Sequence, residues 1–193
     1  VRFERYCDDV VIHCRTEAEA HQVRHAVAGR LADCGGLQLH PVKTRIVYCQ
    51  DGARRRSHEH TSFTFLGYTF RSRLVRTKTG KYFFGFNPAI SDQAAKRIRT
   101  QIRSWRLHLR SGSTLTDLAR EINPIVQGWI NYYGRFYRSA LTFSLNGINR
   151  YLMRWVTQKY KRYRRRRMRA WDALGRAARL HPRLFAHWQL VKP

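Results

Sequence analysis

Two adjacent aspartates, Asp8 and Asp9, stand between apolar segments in a chain that has 12 acidic residues against 38 basic ones. The flanks, Phe3 to Tyr6 and Val10 to Ile12, are β-branched and aromatic and read as the arms of a hairpin, with Cys7, Asp8 and Asp9 at its turn. Neighbouring like charges repel, and burial beside apolar strands would raise the cost. Either a cation offsets the pair or the pair is a solvated turn, where Asp is a favoured residue. The first option carries chemistry. Carboxylates at the end of a strand pair offer hard oxygen ligands to Mg²⁺, with Mn²⁺ as the alternative ion. Two such ions can activate an attacking hydroxyl and stabilise a leaving pyrophosphate.

The opposite charge is concentrated in two places. Lys159 to Arg169 carries eight basic residues in eleven, namely Lys159, Lys161, Arg162, Arg164, Arg165, Arg166, Arg167 and Arg169, and no acid. Arginines four apart on a helix repel one another, so this tract should order best against phosphates, whose oxygens suit the guanidinium fork. Tyr160 and Tyr163 could stack within it, and a disordered basic tail is the plain alternative. The second set, Lys96, Arg97, Arg99, Arg103, Arg106 and Arg110, follows the polar face of a helix that opens at Ser91-Asp92.

A net charge of +26 with 43% hydrophobic residues describes a folded chain that needs a polyanion in its working state. Nucleic acid is the default partner, and an anionic membrane surface is the competitor. No run of eighteen apolar residues exists, which excludes a helical membrane span. The four cysteines show neither a CxxC pair nor metal-ligand spacing and read as reduced thiols of a cytoplasmic protein. His21 and His25 stand four apart, and His58 and His60 two apart. With no third ligand near, surface histidines are the plainer reading. The chain opens directly on strand-like sequence with Val1, which suggests a segment of something longer.

The elements expected to position these groups fall into two parts. After the hairpin, Thr16 caps a helix with Ala20, Val23, Val27 and Leu31 on one face, ended by Gly35-Gly36. Leu37-Leu39 and Ile46 to Cys49 read as β-like runs, residues 51–61 as a loop, and Phe63 to Phe70 as one strand. Tyr82 to Phe86, after a Gly80 turn, is its hairpin partner. From Ser91 the periodicity becomes helical. The expected helices carry Ala95, Ile98, Ile102, Trp105 and Leu109; Leu115 to Ile122; Ile125 to Phe136, opened by Asn123-Pro124; Phe143 into the basic tract; and Arg169 to Ala178. Helical angles place Trp129, Tyr133 and Phe136 on a core face. Tyr132 lies off that face near Arg135 and is the candidate for stacking on RNA. The fold class is α+β.

Four blocks in order add a family resemblance over about residues 1 to 165. Tyr6-Cys7-Asp8-Asp9 resembles the catalytic YxDD box of reverse transcriptases encoded by group II introns. Leu37 to Thr44 resembles the following motif, which implies that Lys43 assists the leaving pyrophosphate; read alone, Lys43 is a solvated charge at a strand start. Phe65-Leu66-Gly67-Tyr68 resembles the block that lies against the primer end. Gly128 to Gly134 resembles the signature of the maturase-specific domain, which serves as polymerase thumb and binds intron RNA. The resemblance implies residues 1–88 as the C-terminal half of a polymerase palm, 89–165 as a helical thumb, and 166–193 as a basic extension. It implies intron RNA, a DNA/RNA primer-template and dNTPs as partners, no membrane, and a cytoplasmic, nucleoid- or ribonucleoprotein-associated setting.

Two departures shape what is expected. The family uses a third carboxylate, on a strand well before the YxDD hairpin, whereas the only acid before Asp8 is Glu4. No Cys/His cluster follows the thumb-like part. The expectation is therefore RNA-directed DNA synthesis in an intact protein and RNA binding without polymerisation in this chain. The alternatives are a non-catalytic maturase-like splicing factor and a retron-type reverse transcriptase, against which the Gly128 to Gly134 block argues.

Overall fold

The computed structural model describes residues 2–54, 56–77 and 79–193; Arg55, in the expected 51–61 loop, lies outside them. The order is β1 (Arg2–Tyr6), β2 (Asp9–His13), α1 (Glu17–Asp33), β3 (Ser62–Phe65), β4 (Tyr68–Arg76), β5 (Tyr82–Ile90), α2 (Asp92–Ser104), α3 (Leu115–Tyr133), α4 (Ser139–Lys159) and α5 (Arg167–Leu180), with short 3₁₀ turns at Leu107–Leu109, Lys161–Tyr163 and Ala186–Gln189. The class is α+β, as expected. The chain divides into two compact units, one of residues 1–65 and 70–86, the other of residues 66–69 and 87–193.

In the first unit, β1 and β2 form an antiparallel hairpin in which Tyr6 pairs with Asp9 and Arg2 with His13. The two-residue turn sets Cys7 at φ 54°, a conformation that favours glycine. Thr16 caps α1 by accepting from the Glu19 amide at 3.1 Å. The expected stripe of Ala20, Val23, Val27 and Leu31 is only half covered, and α1 buries no residue. The runs Leu37-Leu39 and Ile46 to Cys49 do not become strands. A strand needs a paired neighbour, and among the described residues these runs make one backbone bond to a distant segment, from the Tyr48 amide to the His60 carbonyl at 2.8 Å.

The expected Phe63 to Phe70 strand is interrupted. Phe63 and Phe65 occupy odd positions while Tyr68 and Phe70 occupy even ones, and the change of parity is a turn. Leu66 (φ 50°) and Gly67 (φ 77°) make it, the two positive values of a type I′ hairpin turn. Across it Phe63 stacks on Phe70 with ring centroids 4.8 Å apart. The sheet order is β3-β4-β5.

The second unit holds the core. Leu141, Leu145, Ile148, Leu152 and Trp155 recur along α4 at helical spacing and are almost wholly inaccessible, packed with Ile98 and Ile102 of α2, Leu118, Ile122 and Val126 of α3, and Leu174 of α5. Ser91 caps α2 through the Ala94 amide at 3.2 Å. That helix ends at Ser104, seven residues before the expected break at Ser111. Arg106 takes φ 47° there, which turns the buried Leu107 inward and leaves Leu109 exposed. The two helices expected on either side of Asn123-Pro124 are one. Thr114 and Asp117 form a capping box that starts α3, and Pro124 sits inside it. Asn123 does not cap anything; its amide donates to the Leu184 carbonyl and its oxygen accepts from the Ala186 amide, both at 2.9 Å.

Candidate nucleic-acid interface

Among the elements of the first unit, the hairpin turn presents Asp8 and Asp9 to solvent. By the strand register Asp9 shares a face with Tyr6, Glu4 and His13. Glu4 is tied to the His13 ring at 2.5 Å, so it does not reach toward the turn. The two aspartates supply hard oxygen donors that suit Mg²⁺, yet no group of three His, Cys, Asp or Glu able to hold a metal occurs among the described residues. That includes His21 and His25, whose neighbour Arg24 contacts His21 at 3.3 Å. His58 instead stacks on Tyr48, with centroids 4.0 Å apart. Lys43 is exposed in the irregular stretch after α1, not at the start of a strand.

The Phe65 to Tyr68 block reaches into the second unit, which includes residues 66–69. Phe65 ends β3, and Leu66 and Gly67 form the turn rather than adjacent strand positions. Tyr68 is 7% exposed, and burial pushes its hydroxyl above the ordinary tyrosine range. The turn is tied to the helices on several sides. The Ser91 amide donates to the Gly67 carbonyl at 2.9 Å, the Tyr132 hydroxyl donates to the Leu66 carbonyl at 2.8 Å, and the Tyr68 hydroxyl donates to the Tyr132 carbonyl. A Cβ on Gly67 would lie 3.0 Å from the Tyr133 hydroxyl. Tyr132 is thus a fastened ring: its hydroxyl braces a turn while the residue stays exposed. Phe136, expected in the core, is 58% exposed because α3 ends at Tyr133 and the chain departs from the helical angles.

On α2 the amphipathic division is clean. Ala94, Ala95, Ile98 and Ile102 are buried, while Lys96, Arg97, Arg99 and Arg103 are exposed, and Arg106 follows at the exposed turn. Arg99 reaches the Ser144 hydroxyl at 3.5 Å. Arg110 differs from the set. It is ion-paired with Glu121, whose hydrogen bond raises its pKa, and its carbonyl accepts from the Trp155 indole at 2.8 Å.

The tract after α4 is neither a continuous helix nor a tail. Lys159 donates to the carbonyls of Ser111 at 2.9 Å and Ser113 at 2.6 Å, fixing the loop before α3. Tyr163 is buried and carries the Arg162 guanidinium 4.7 Å above its ring, with Tyr160 also beside Arg162 at 5.9 Å. Tyr163 therefore stacks inside the protein, while Tyr160 stays exposed. Lys161, Arg164, Arg165, Arg166, Arg167 and Arg169 remain exposed, and Arg165 turns the chain with φ 61°. The first turn of α5 contains no acid. Cations at the positive end of a helix cost about 0.3–1 kcal/mol each at low salt, a cost that phosphates reverse.

Residues that sequence reasoning passed over stand nearby. Arg150 and Arg154 are exposed on α4, and Arg154 lies 5.6 Å from the Tyr151 ring. Their four-residue spacing opposite the Leu145-Ile148-Leu152 stripe would have revealed them. Arg138 is exposed beyond α3, as is Arg135, which the sequence had already singled out. Residues 87–193 hold 23 of the 38 basic residues and four of the 12 acids.

No curated protein matches the chain. Residues 95–171 match the family model described as group II intron, maturase-specific domain. The matched segment begins inside α2, passes through α3 and α4 with the core they share, and ends in α5 just after the arginine tract. The similarity lies in the helices rather than in the hairpin that carries Asp8 and Asp9.

Proposed function

We propose that the chain binds group II intron RNA through the exposed basic faces of α2 and the α4–α5 connection and so assists intron splicing. The observation that carries this is the coincidence of the family match with two strongly basic surfaces built on one buried core. Lys96, Arg99, Arg103, Arg106 and Arg135 would grip one stretch of backbone, and Lys161, Arg162 and Arg164 to Arg167 another. Arg110 and Lys159 act instead by holding the loop between α2 and α3. The test is direct. The purified chain should bind an intron-derived RNA with an affinity that falls linearly in log–log form with salt, and a salt-independent affinity or none would refute the reading.

The fuller form of the proposal is the C-terminal palm and thumb of a reverse transcriptase/maturase that copies RNA into DNA. Here Asp8 and Asp9 would provide two ligands to Mg²⁺, which when bound supplies charge to the nucleotidyl transfer. Lys43 would stand near the leaving pyrophosphate, and the Leu66-Gly67 turn near the primer end. Intron RNA, a primer-template and dNTPs are the partners of that form. The third carboxylate must come from outside the described residues, so this chain alone should not extend a primer. Extension by the purified chain would refute that. The second reading is a splicing factor without polymerase activity, supported by the family match lying in the helices. Asp8→Ala with Asp9→Ala discriminates in a protein that contains this segment. Loss of DNA synthesis with splicing retained supports the polymerase form.

A further inference from the structure

Tyr68 is the floor of a small aromatic group at the end of α3. Its ring centroid lies 5.3 Å from that of Tyr132, 5.6 Å from Tyr133 and 5.4 Å from Phe136. The floor is buried, but Tyr132 and Phe136 are 47% and 58% exposed. The two stand four residues apart at the helix end and rest on the same ring. Burying a tyrosine beneath two exposed rings leaves apolar area in water unless something covers them.

The exposed pair is also held still. The Tyr132 backbone carbonyl accepts the Tyr68 hydroxyl, and the Tyr132 hydroxyl donates to Leu66 at the far end of the ring. A ring fastened at both ends has little rotamer freedom left to lose when a ligand stacks on it. Leu66 holds the strained side of the same turn at φ 50°, so the turn is over-determined by its neighbours rather than by its own preference. Arg135 is close enough to Tyr68 to oppose the upward shift of its hydroxyl. The result is a fixed, partly apolar surface with a guanidinium beside it, on a unit whose charge is overwhelmingly positive.

We propose that Tyr132 and Phe136 form a stacking platform for an unpaired base of the bound RNA, with Arg135 on the adjoining phosphate. The inference rests on the RNA-binding reading and adds to it. Basic side chains take backbone of any sequence and pairing state, whereas a stacking surface needs a base that is free to leave its helix. The platform therefore gives the chain a preference for loops or bulges over continuous duplex. A polypeptide covering the same rings would leave that preference untouched.

The experiment uses the whole chain with two RNA hairpins identical except for one unpaired base, which carries 2-aminopurine. The wild type should bind the bulged hairpin more tightly and change its 2-aminopurine emission. Phe136→Ala and Tyr132→Ala should each reduce the preference about tenfold, with affinity for the paired hairpin unchanged. Phe136→Trp should keep the preference and Phe136→Leu, which retains apolar bulk without a π-face, should lose it. Should Tyr132→Ala fail to fold, the exposed Phe136 series carries the test. An unaltered preference in the Phe136 series overturns the platform, as does an equal loss for both hairpins. A wild type that binds neither hairpin overturns the RNA-binding reading itself.

Discussion

Neutralising the arginine knuckle before α5 should change how RNA affinity responds to salt by a calculable amount. Arg165, Arg166 and Arg167 are exposed, and no acid lies between Lys159 and Arg169. Every phosphate that is no longer neutralised lowers the slope of log K against log[salt] by about 0.9 on duplex and about 0.7 on single strands. Replacing all three with Gln should therefore reduce the slope by about 2–3. At about 0.1 M salt each neutralised duplex phosphate corresponds to roughly eightfold in affinity, so the triple variant should bind up to about 500-fold more weakly there and progressively less so as salt rises. Lys159→Gln is the matched control. Its ammonium sits on the Ser111 and Ser113 carbonyls, so it should lower thermal stability while leaving the slope unchanged. Fluorescence anisotropy with a labelled RNA across a salt series reads the slope and the affinity. An unchanged slope in the triple variant would show that these guanidiniums face no phosphate.

Three further outcomes follow from other parts of the structure. Burial pulls the His187 pKa down to about 3, so the folded chain keeps the ring neutral where the unfolded chain protonates it. Its contribution is therefore fully present above the unfolded value of about 6.5 and is lost as pH falls from there toward about 3, by about 1.4 kcal/mol per pH unit; urea titrations at several pH values check the slope, and a flat profile in that window refutes it. Gly134 leaves no room for a side chain, since a Cβ would meet the Ile130 carbonyl oxygen at 2.5 Å; Gly134→Ala should destabilise by roughly 1–3 kcal/mol in thermal melts, as overpacked sites do. Amide hydrogen exchange should protect α4 far more than the β1–β2 hairpin, because α4 supplies the core and the first unit contains no buried residue among those described; equal protection would contradict the burial pattern.

What could be read in advance follows from where each signal lives. Caps were legible because they are local: Thr16 and Ser91 each name their helix start by chemistry within one turn, and the Thr114–Asp117 box, passed over in the sequence, carries the same kind of signal. The Asp8-Asp9 turn was legible for the same reason. Interruptions set by distant partners were not. Pro124 looks like a helix start, but Asn123 is engaged with Leu184 and Ala186, some sixty residues away, and the helix runs through. The end of α2 is fixed by where Leu107 finds its pocket, a tertiary demand with no local marker. The parity change at Leu66-Gly67 was visible in the residues but was outweighed by a continuous aromatic run. Charge located the basic surfaces, yet it could not separate Arg110 and Lys159, whose partners are Glu121 and two backbone carbonyls, from arginines left to face solvent.

The contrast between the two units orders the proposed activities. Nucleotidyl transfer needs carboxylates held to within a fraction of an ångström by packed surroundings, whereas Asp8 and Asp9 sit on a two-stranded hairpin, an arrangement that is marginal in water without further strands or a packed face. Nothing in the described part of that unit is buried. Phosphate binding asks for less: a rigid base and long cations that adapt at their tips. The helical unit offers that base, with α4 inaccessible along its core stripe and the buried Tyr163 anchoring the arginine knuckle. RNA binding can therefore be expressed by the helical surfaces as they stand. Any chemistry at the aspartates requires first that another surface take up Phe3, Tyr6 and Val10, the exposed apolar residues that border them.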